Sequence, residues 1–210
     1  MLVHAAKVPP TPGIVGGWPP PRATARLAPM KVAFVGSFST GKTTLANLFA
    51  KEWDYPLLPE VAREVVELGF PLDQSATAET ETLIFLKQWH AEVTHEHFVA
   101  DRSIYDVLAY ADWVMQHERE PRKEDHLWAV AREIAMLDLR ARYDHVFYLP
   151  VEFPIVLDGL RPNDPSFQGD IDRRIHRLLQ SADVTFHPLS GSVEARQDQV
   201  RAVVGGVPAR

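Results

Sequence analysis

The chain has 210 residues, 46% of them hydrophobic, and a formal net charge of −6. That length favours one domain with one sizeable core, and the acidic balance argues against nucleic acid or an anionic membrane surface as a partner. It has no cysteines, which excludes disulfides, thiolate nucleophiles and Cys-ligated metals and fits a cytoplasmic protein; no apolar run approaches the ~18 residues of a membrane span.

Residues 1–29 contain Pro9, Pro10, Pro12, Pro19, Pro20, Pro21 and Pro29 and no Asp or Glu. Prolines prevent a regular ladder or helix, so a disordered or extended tail is expected, with the folded domain spanning 30–205. Its acid-free, Arg-bearing composition faintly suggests a transit peptide, but the prolines oppose the amphipathic helix such a peptide needs.

Lys31–Val35 is a short apolar run and reads as a buried parallel strand. A glycine loop follows, then a helix over Lys42–Trp53 with Leu45, Leu48 and Phe49 on one face. Tyr55–Leu58 reads as a second strand, ending at Pro59 and Glu60. Ala76–Val93 reads as a helix with Leu83, Leu86 and Trp89 as its apolar stripe. His97–Ala100 is a third strand, stopped by Asp101. Ile104–Met115 carries Ile104, Val107, Leu108, Ala111, Val114 and Met115 at helical spacing. A further helix fits Glu124–Arg142, and His145–Leu149 is a fourth strand. The stretch 155–180 joins a turn-rich centre, running to Gly169, to a helix with Ile171, Ile175, Leu178 and Leu179. Val184–Phe186 is a fifth strand and Val193–Val204 a last helix. Strands alternating with helices imply crossover connections and a parallel sheet. Ligands of such a sheet bind at the carboxyl ends of its strands, which puts Gly36–Thr43, Glu60 and Asp101 on one rim.

Gly36-Ser37-Phe38-Ser39-Thr40-Gly41-Lys42-Thr43-Thr44 has the spacing of a phosphate-binding P-loop between a strand and a helix. The glycines allow a tight turn that brings amide N–H groups to phosphates. The helix N-terminus adds its positive dipole end. Lys42 reaches the β- and γ-phosphates, and the Thr43 hydroxyl can ligate Mg²⁺. Asp101 closes an apolar strand beside this loop, where it either serves Mg²⁺ or an acceptor proton, or caps the helix from Ile104 with Ser103 as a rival. Arg102 can hold a phosphate or pair with a carboxylate. Glu60 and Arg63 are one helical turn apart, as a pair facing one pocket or as an exposed ion pair of little consequence. The nine histidines lack metal-ligand spacing.

Four segments carry a resemblance: Val35–Leu45, Pro59–Glu64, Asp101–Ser103 and Asp158-Gly159-Leu160-Arg161. Together they resemble the NadR-like P-loop kinases, over roughly Lys31–Val204. The second and third are also similar to segments of deoxynucleoside kinases, and the third to the thymidylate-kinase signature, although Ser103 stands where thymidylate kinases usually carry an aromatic residue. The resemblance implies an α/β fold: a P-loop NTPase three-layer α/β/α sandwich with a five-stranded parallel sheet, nucleoside/nucleotide-kinase-like, with a lid at about 155–175. It also implies ATP and Mg²⁺, the ion held by Thr43 and Asp101, and a nucleoside-like small-molecule acceptor. Glu60 takes the place of general base, and Arg63 and Arg102 that of acceptor contacts. Phe85, Gln88 and Trp89 are candidate base contacts, Phe85 and Trp89 being equally suited to the core. Arg161 is the lid arginine, with Arg173, Arg174 and Arg177 following it. By the same likeness the Ile104–Met115 helix is a candidate homodimer face. The alternative is a nucleotide-binding switch that phosphorylates no metabolite. An ssDNA or RNA end kinase would need a basic channel, which the scattered Lys and Arg do not supply.

Overall fold

The computed structural model describes residues 28–117, 125–156 and 162–205. Five parallel strands form one sheet: β1 (Lys31–Val35), β2 (Leu57–Leu58), β3 (Phe98–Asp101), β4 (His145–Tyr148) and β5 (Phe186–Pro188), in the order β2-β3-β1-β4-β5. The helices are α1 (Lys42–Trp53), α2 (Ala62–Glu67), α3 (Ala78–Val93), α4 (Ile104–His117), α5 (Asp125–Met136), α6 (Pro165–Ser181) and α7 (Val193–Gly205).

Alternation along β1 divides the core in two, because successive strand side chains point to opposite faces. Val32 and Phe34 join Leu45, Phe49, Val200 and Val204 beneath α1 and α7. Ala33 and Val35 join the buried residues of α2, α3, α4, α5 and α6 on the other face. Two apolar cores flanking one sheet make the three-layer sandwich implied by the resemblance.

β1 and α1 have the bounds read from the sequence. Elsewhere the differences have physical reasons. α3 turns Glu81, Ile84, Phe85, Gln88 and Glu92 inward, while Leu86 is exposed and Leu83 and Trp89 are half-buried. Of the expected apolar stripe, Leu83 and Trp89 pack against the core and Leu86 does not, because much of the buried face of α3 is polar. α6 begins at Pro165, where Asp164 accepts from the amides of Ser166 (2.9 Å) and Phe167 (3.0 Å), so the expected turn region up to Gly169 is largely helical. That part of the expected lid packs on α4, while Asp158 and Arg161 lie outside the described residues. α5 ends at Met136 and a short 3-10 turn, Leu139–Ala141, replaces the last part of the predicted helix. On α4, Ile104, Val107, Leu108, Ala111 and Val114 are buried within the protomer, where α3, α5 and α6 pack against the helix, and Met115 is half-buried.

Candidate active site

The carboxyl ends of β1, β2 and β3 form the rim. Phe34 is paired with Asp101, and Leu58 with Ala100, which sets Gly36, Glu60 and Asp101 side by side. From there the chain runs over a cavity of about 460 Å³ lined by residues 38–45, Glu60, Arg63, Arg102, Phe153, Val156, Gly191, Val193 and Arg196.

The loop opens at Gly36, where a Cβ would lie 2.4 Å from the Leu149 carbonyl oxygen, so only glycine fits. It closes at Gly41, whose φ of 95° is in the left-handed region. Side chains from distant elements fix the peptides between them. Gln168 of α6 donates to the Phe38 carbonyl at 2.8 Å, and Arg196 of α7 donates to the Thr40 carbonyl at 2.7 Å. A trans peptide carries its C=O and N–H on opposite sides. Holding those two carbonyls therefore turns the amides of Ser39 and Gly41 away from Gln168 and Arg196. Lys42 donates to the Ser37 carbonyl at 2.6 Å. Burial, with Arg102 nearby, lowers its ammonium to about 8, while Asp106, Asp101 and Glu60 help to keep the charge.

Asp106, Gln168 and Arg196 are site residues that the sequence reading missed. The buried Asp106 accepts from the Gly36 amide at 3.0 Å and from the Ser103 amide and hydroxyl, each at 2.8 Å, tying the loop to the start of α4. Burial pushes this carboxyl up, opposed by Lys42, Arg102 and its hydrogen bonds. Its one legible signal was an Asp three residues after Ser103, in the first turn of a helix. Gln168 and Arg196 carried no local signal.

Asp101 is buried, and its Oδ1 has no hydrogen-bond partner among the described residues. Arg102 follows with φ 92°. Its Nε lies 2.7 Å from Glu60 Oε1, and its guanidinium lies over the Tyr110 ring at 4.8 Å. Burial works against the Arg102 charge, but Glu60, Tyr110 and Asp106 outweigh it and hold the group protonated. Glu60 Oε2 also meets Arg63 Nε at 3.8 Å, with the Arg63 side chain half-exposed. Among the described non-glycine residues with left-handed backbone, Asp54 caps α1 and Asp183 follows α6. The other three, Ser39, Asp73 and Arg102, all line cavities at this site, the kind of place where backbone strain collects.

A second, tight cavity of about 30 Å³ adjoins the first. Glu60 and Arg102 line both, and Asp73, Glu81, Gln88 and Tyr110 line the second. Gln88 donates to Glu92 at 2.8 Å and reaches the Arg102 carbonyl at 3.5 Å. Phe85 faces the core instead, edge-on to Trp128, and the Trp89 ring lies under the Arg142 guanidinium. Arg173 and Arg177 line a separate groove with Tyr148, Asp172 and His176.

A five-stranded parallel sheet carrying this loop at its rim defines a P-loop protein of nucleoside-kinase-like fold. Residues 31–196 match the AAA domain family, and the chain belongs to that family. NadR, solved in complex with NAD and AMP-PNP, superposes with a TM-score of 0.64 at 19% identity, over 87% of this chain; the chain spans 51% of that protein. Deoxyadenosine kinase from M. mycoides gives 0.66 at 12% identity, over 85% of this chain and 100% of its own length. Thymidylate kinase from Candida albicans gives 0.60 at 14% identity, over 84% and 91%. These likenesses establish the fold that the sequence resemblance implied. No curated protein matches the chain in sequence.

Proposed function

We propose that the protein transfers the γ-phosphoryl group of ATP to a hydroxyl of a nucleoside-like small molecule. The observation that carries this reading is the Glu60–Arg102 pair, a buried carboxylate and guanidinium 2.7 Å apart, forming a wall shared by the phosphate-loop cavity and the adjoining one. Nucleotide binding alone needs no such pair.

In this reading the loop amides and Lys42 hold the β- and γ-phosphates. The ATP base packs beside the phosphate loop on the wall of the large cavity where Arg196 stands 5.0 Å from the half-exposed Phe153 ring. The unused Asp101 oxygen and the exposed Thr43 suit Mg²⁺, a hard cation that takes oxygen donors. When bound, Mg²⁺ would supply neutralisation of the charge on the triphosphate. Arg102 and Arg63 orient the acceptor. Glu60 accepts the proton of the attacking hydroxyl as the new O–P bond forms, and ADP leaves with the electrons of the bond that breaks. Phosphoryl transfer has a loose transition state, so the proton moves late and positioning dominates. Arg161, by resemblance, would add its charge to the phosphates from the lid. NadR and the deoxynucleoside kinase neighbours support this acceptor class by analogy of fold.

The test is transfer from γ-labelled ATP with Mg²⁺ across nucleosides, nicotinamide riboside and nucleoside monophosphates, with Lys42→Ala as the blank. A labelled product from one acceptor class is expected. Glu60→Gln should lower kcat about 10²-fold or more while changing ATP affinity by less than about threefold. ATP binding with no acceptor labelled would instead favour a nucleotide-dependent switch.

A further inference from the structure

The tight cavity beside Glu60 holds a carboxyl that phosphoryl transfer does not use. Glu60, Asp73, Glu81 and Arg102 all line it. Glu60 is held by the Arg102 guanidinium. Glu81, in the first turn of α3, is only 2% exposed, and no described residue donates a hydrogen bond to it; Arg102 and Asp73 act on it through charge alone. A buried carboxylate without a donor is costly, and Gln in its place would remove the charge, so Glu81 works against stability. The backbone of Asp73 and Arg102, which both line the cavity, is left-handed (φ 54° and 92°).

The volume narrows what completes the site. A cavity of about 30 Å³ has room for about two waters. It takes one protruding substituent, not a ring. Because Glu60 and Arg102 belong to both cavities, an acceptor seated against them from the large cavity can extend one substituent into this one.

We infer that Glu81 sets acceptor specificity by receiving hydrogen bonds from an amino nitrogen at the end of the acceptor remote from the reacting hydroxyl. The inference rests on the kinase reading and narrows its substrate class to amine-bearing acceptors. A carbonyl in that position presents lone pairs to a carboxylate and leaves both groups unpaired, the mismatch that gives polar sites their large discrimination. An acceptor bringing a phosphate there adds negative charge to negative charge. Burial pushes the Glu81 carboxyl up to about 8 in the free protein. A donor nitrogen favours the ionised form, so the preference for an amine grows as pH rises through that value.

The experiment measures binding by calorimetry to the full chain with AMP-PNP and Mg²⁺ present, and so does not need turnover. Cytidine against uridine and adenosine against inosine are pairs that exchange an amine for a carbonyl at one ring position. The amine partner is expected to bind at least about tenfold tighter, with the gap widening between pH 6.5 and 8.5. Glu81→Gln should shrink the gap to within about threefold and flatten its pH dependence, with AMP-PNP affinity unchanged as the check of folding. Equal affinities within each pair, a gap that ignores pH, or no binding by any of the four overturns the inference. Should Glu81→Gln fail to fold, the wild-type pairs and their pH dependence still decide it. If the amine partners bind preferentially and accept no label from ATP, the kinase reading fails and the Glu81 assignment stands.

Discussion

Glu81 should make stability depend on pH in a direction opposite to that of a salt-bridged acid. Its carboxyl ionises near 4.5 when ordinary and is raised by burial to about 8 in the fold. Between those values the folded state holds a proton that the unfolded chain has released, so stability falls as pH rises, and the loss is complete above 8. Glu81→Gln removes the effect. The variant should match wild type near pH 4 and exceed it at pH 8.5 by roughly 2–5 kcal/mol, measured by urea unfolding at both pH values. A wild-type protein that keeps pace with the variant at pH 8.5 would show that Glu81 has a partner or ionises normally. Single residues were legible in the sequence where the chemistry is local. Lys42, Glu60, Asp101 and Arg102 stand next to glycines or strand ends that announce them. Glu81 was not legible, because an acid in the first turn of a helix reads as a favourable dipole contact facing solvent.

Among the elements, α6 and α7 act on the phosphate loop from outside it. Gln168 and Arg196 hold the carbonyls of Phe38 and Thr40, which fixes the amides that a triphosphate would meet. Gln168→Ala removes one hydrogen bond of about 1 kcal/mol and should weaken AMP-PNP binding about fivefold. Arg196→Lys keeps the charge but cannot span both Thr40 and Glu152, 2.7 and 2.9 Å away on two guanidinium nitrogens, and should cost tenfold or more. Calorimetry below each variant's melting temperature checks both; unchanged affinities would reduce the two side chains to packing. These contacts could not be read from spacing, since their partners lie 130 and 156 positions away in the chain. β1 and α1 were legible because a motif and a clear period coincide there. α2 and the 3-10 turn at 73–75 are too short to show a period, and α3 hid its register behind inward-facing Glu81, Gln88 and Glu92.

Across the whole molecule, one buried polar network supports the strained start of α4 from behind. Glu92 of α3 accepts from Gln88 at 2.8 Å, from the Tyr143 hydroxyl at 2.7 Å and from Arg142 at 3.1 Å. Tyr143 in turn accepts from the Ile104 amide at 2.9 Å, and Gln88 reaches the Arg102 carbonyl. The network joins α3, the β3–α4 turn and the approach to β4. Burial pushes the Glu92 carboxyl up, while Gln88, Tyr143 and Arg142 oppose that shift. Removing one member of a buried pair strands the other, so Glu92→Ala should cost about 3–5 kcal/mol by urea unfolding. A loss below 1 kcal/mol would mean that water replaces the carboxylate. The sheet and its layers were legible from alternating elements. The cross-links between layers were not, because they depend on which helices become neighbours.

The place of β1 in the sheet has a consequence for how the protein is made. The strand that launches the phosphate loop sits in the middle, paired with β3 on one side and β4 on the other. A ribosome delivers it before either neighbour, and the second of them, beginning at His145, emerges about 110 residues later. At roughly 5–20 residues per second, the nascent Lys31–Val35 segment waits on the order of ten seconds with an apolar edge uncovered. The strand at the centre of the finished sheet is thus the one that waits longest for its second partner.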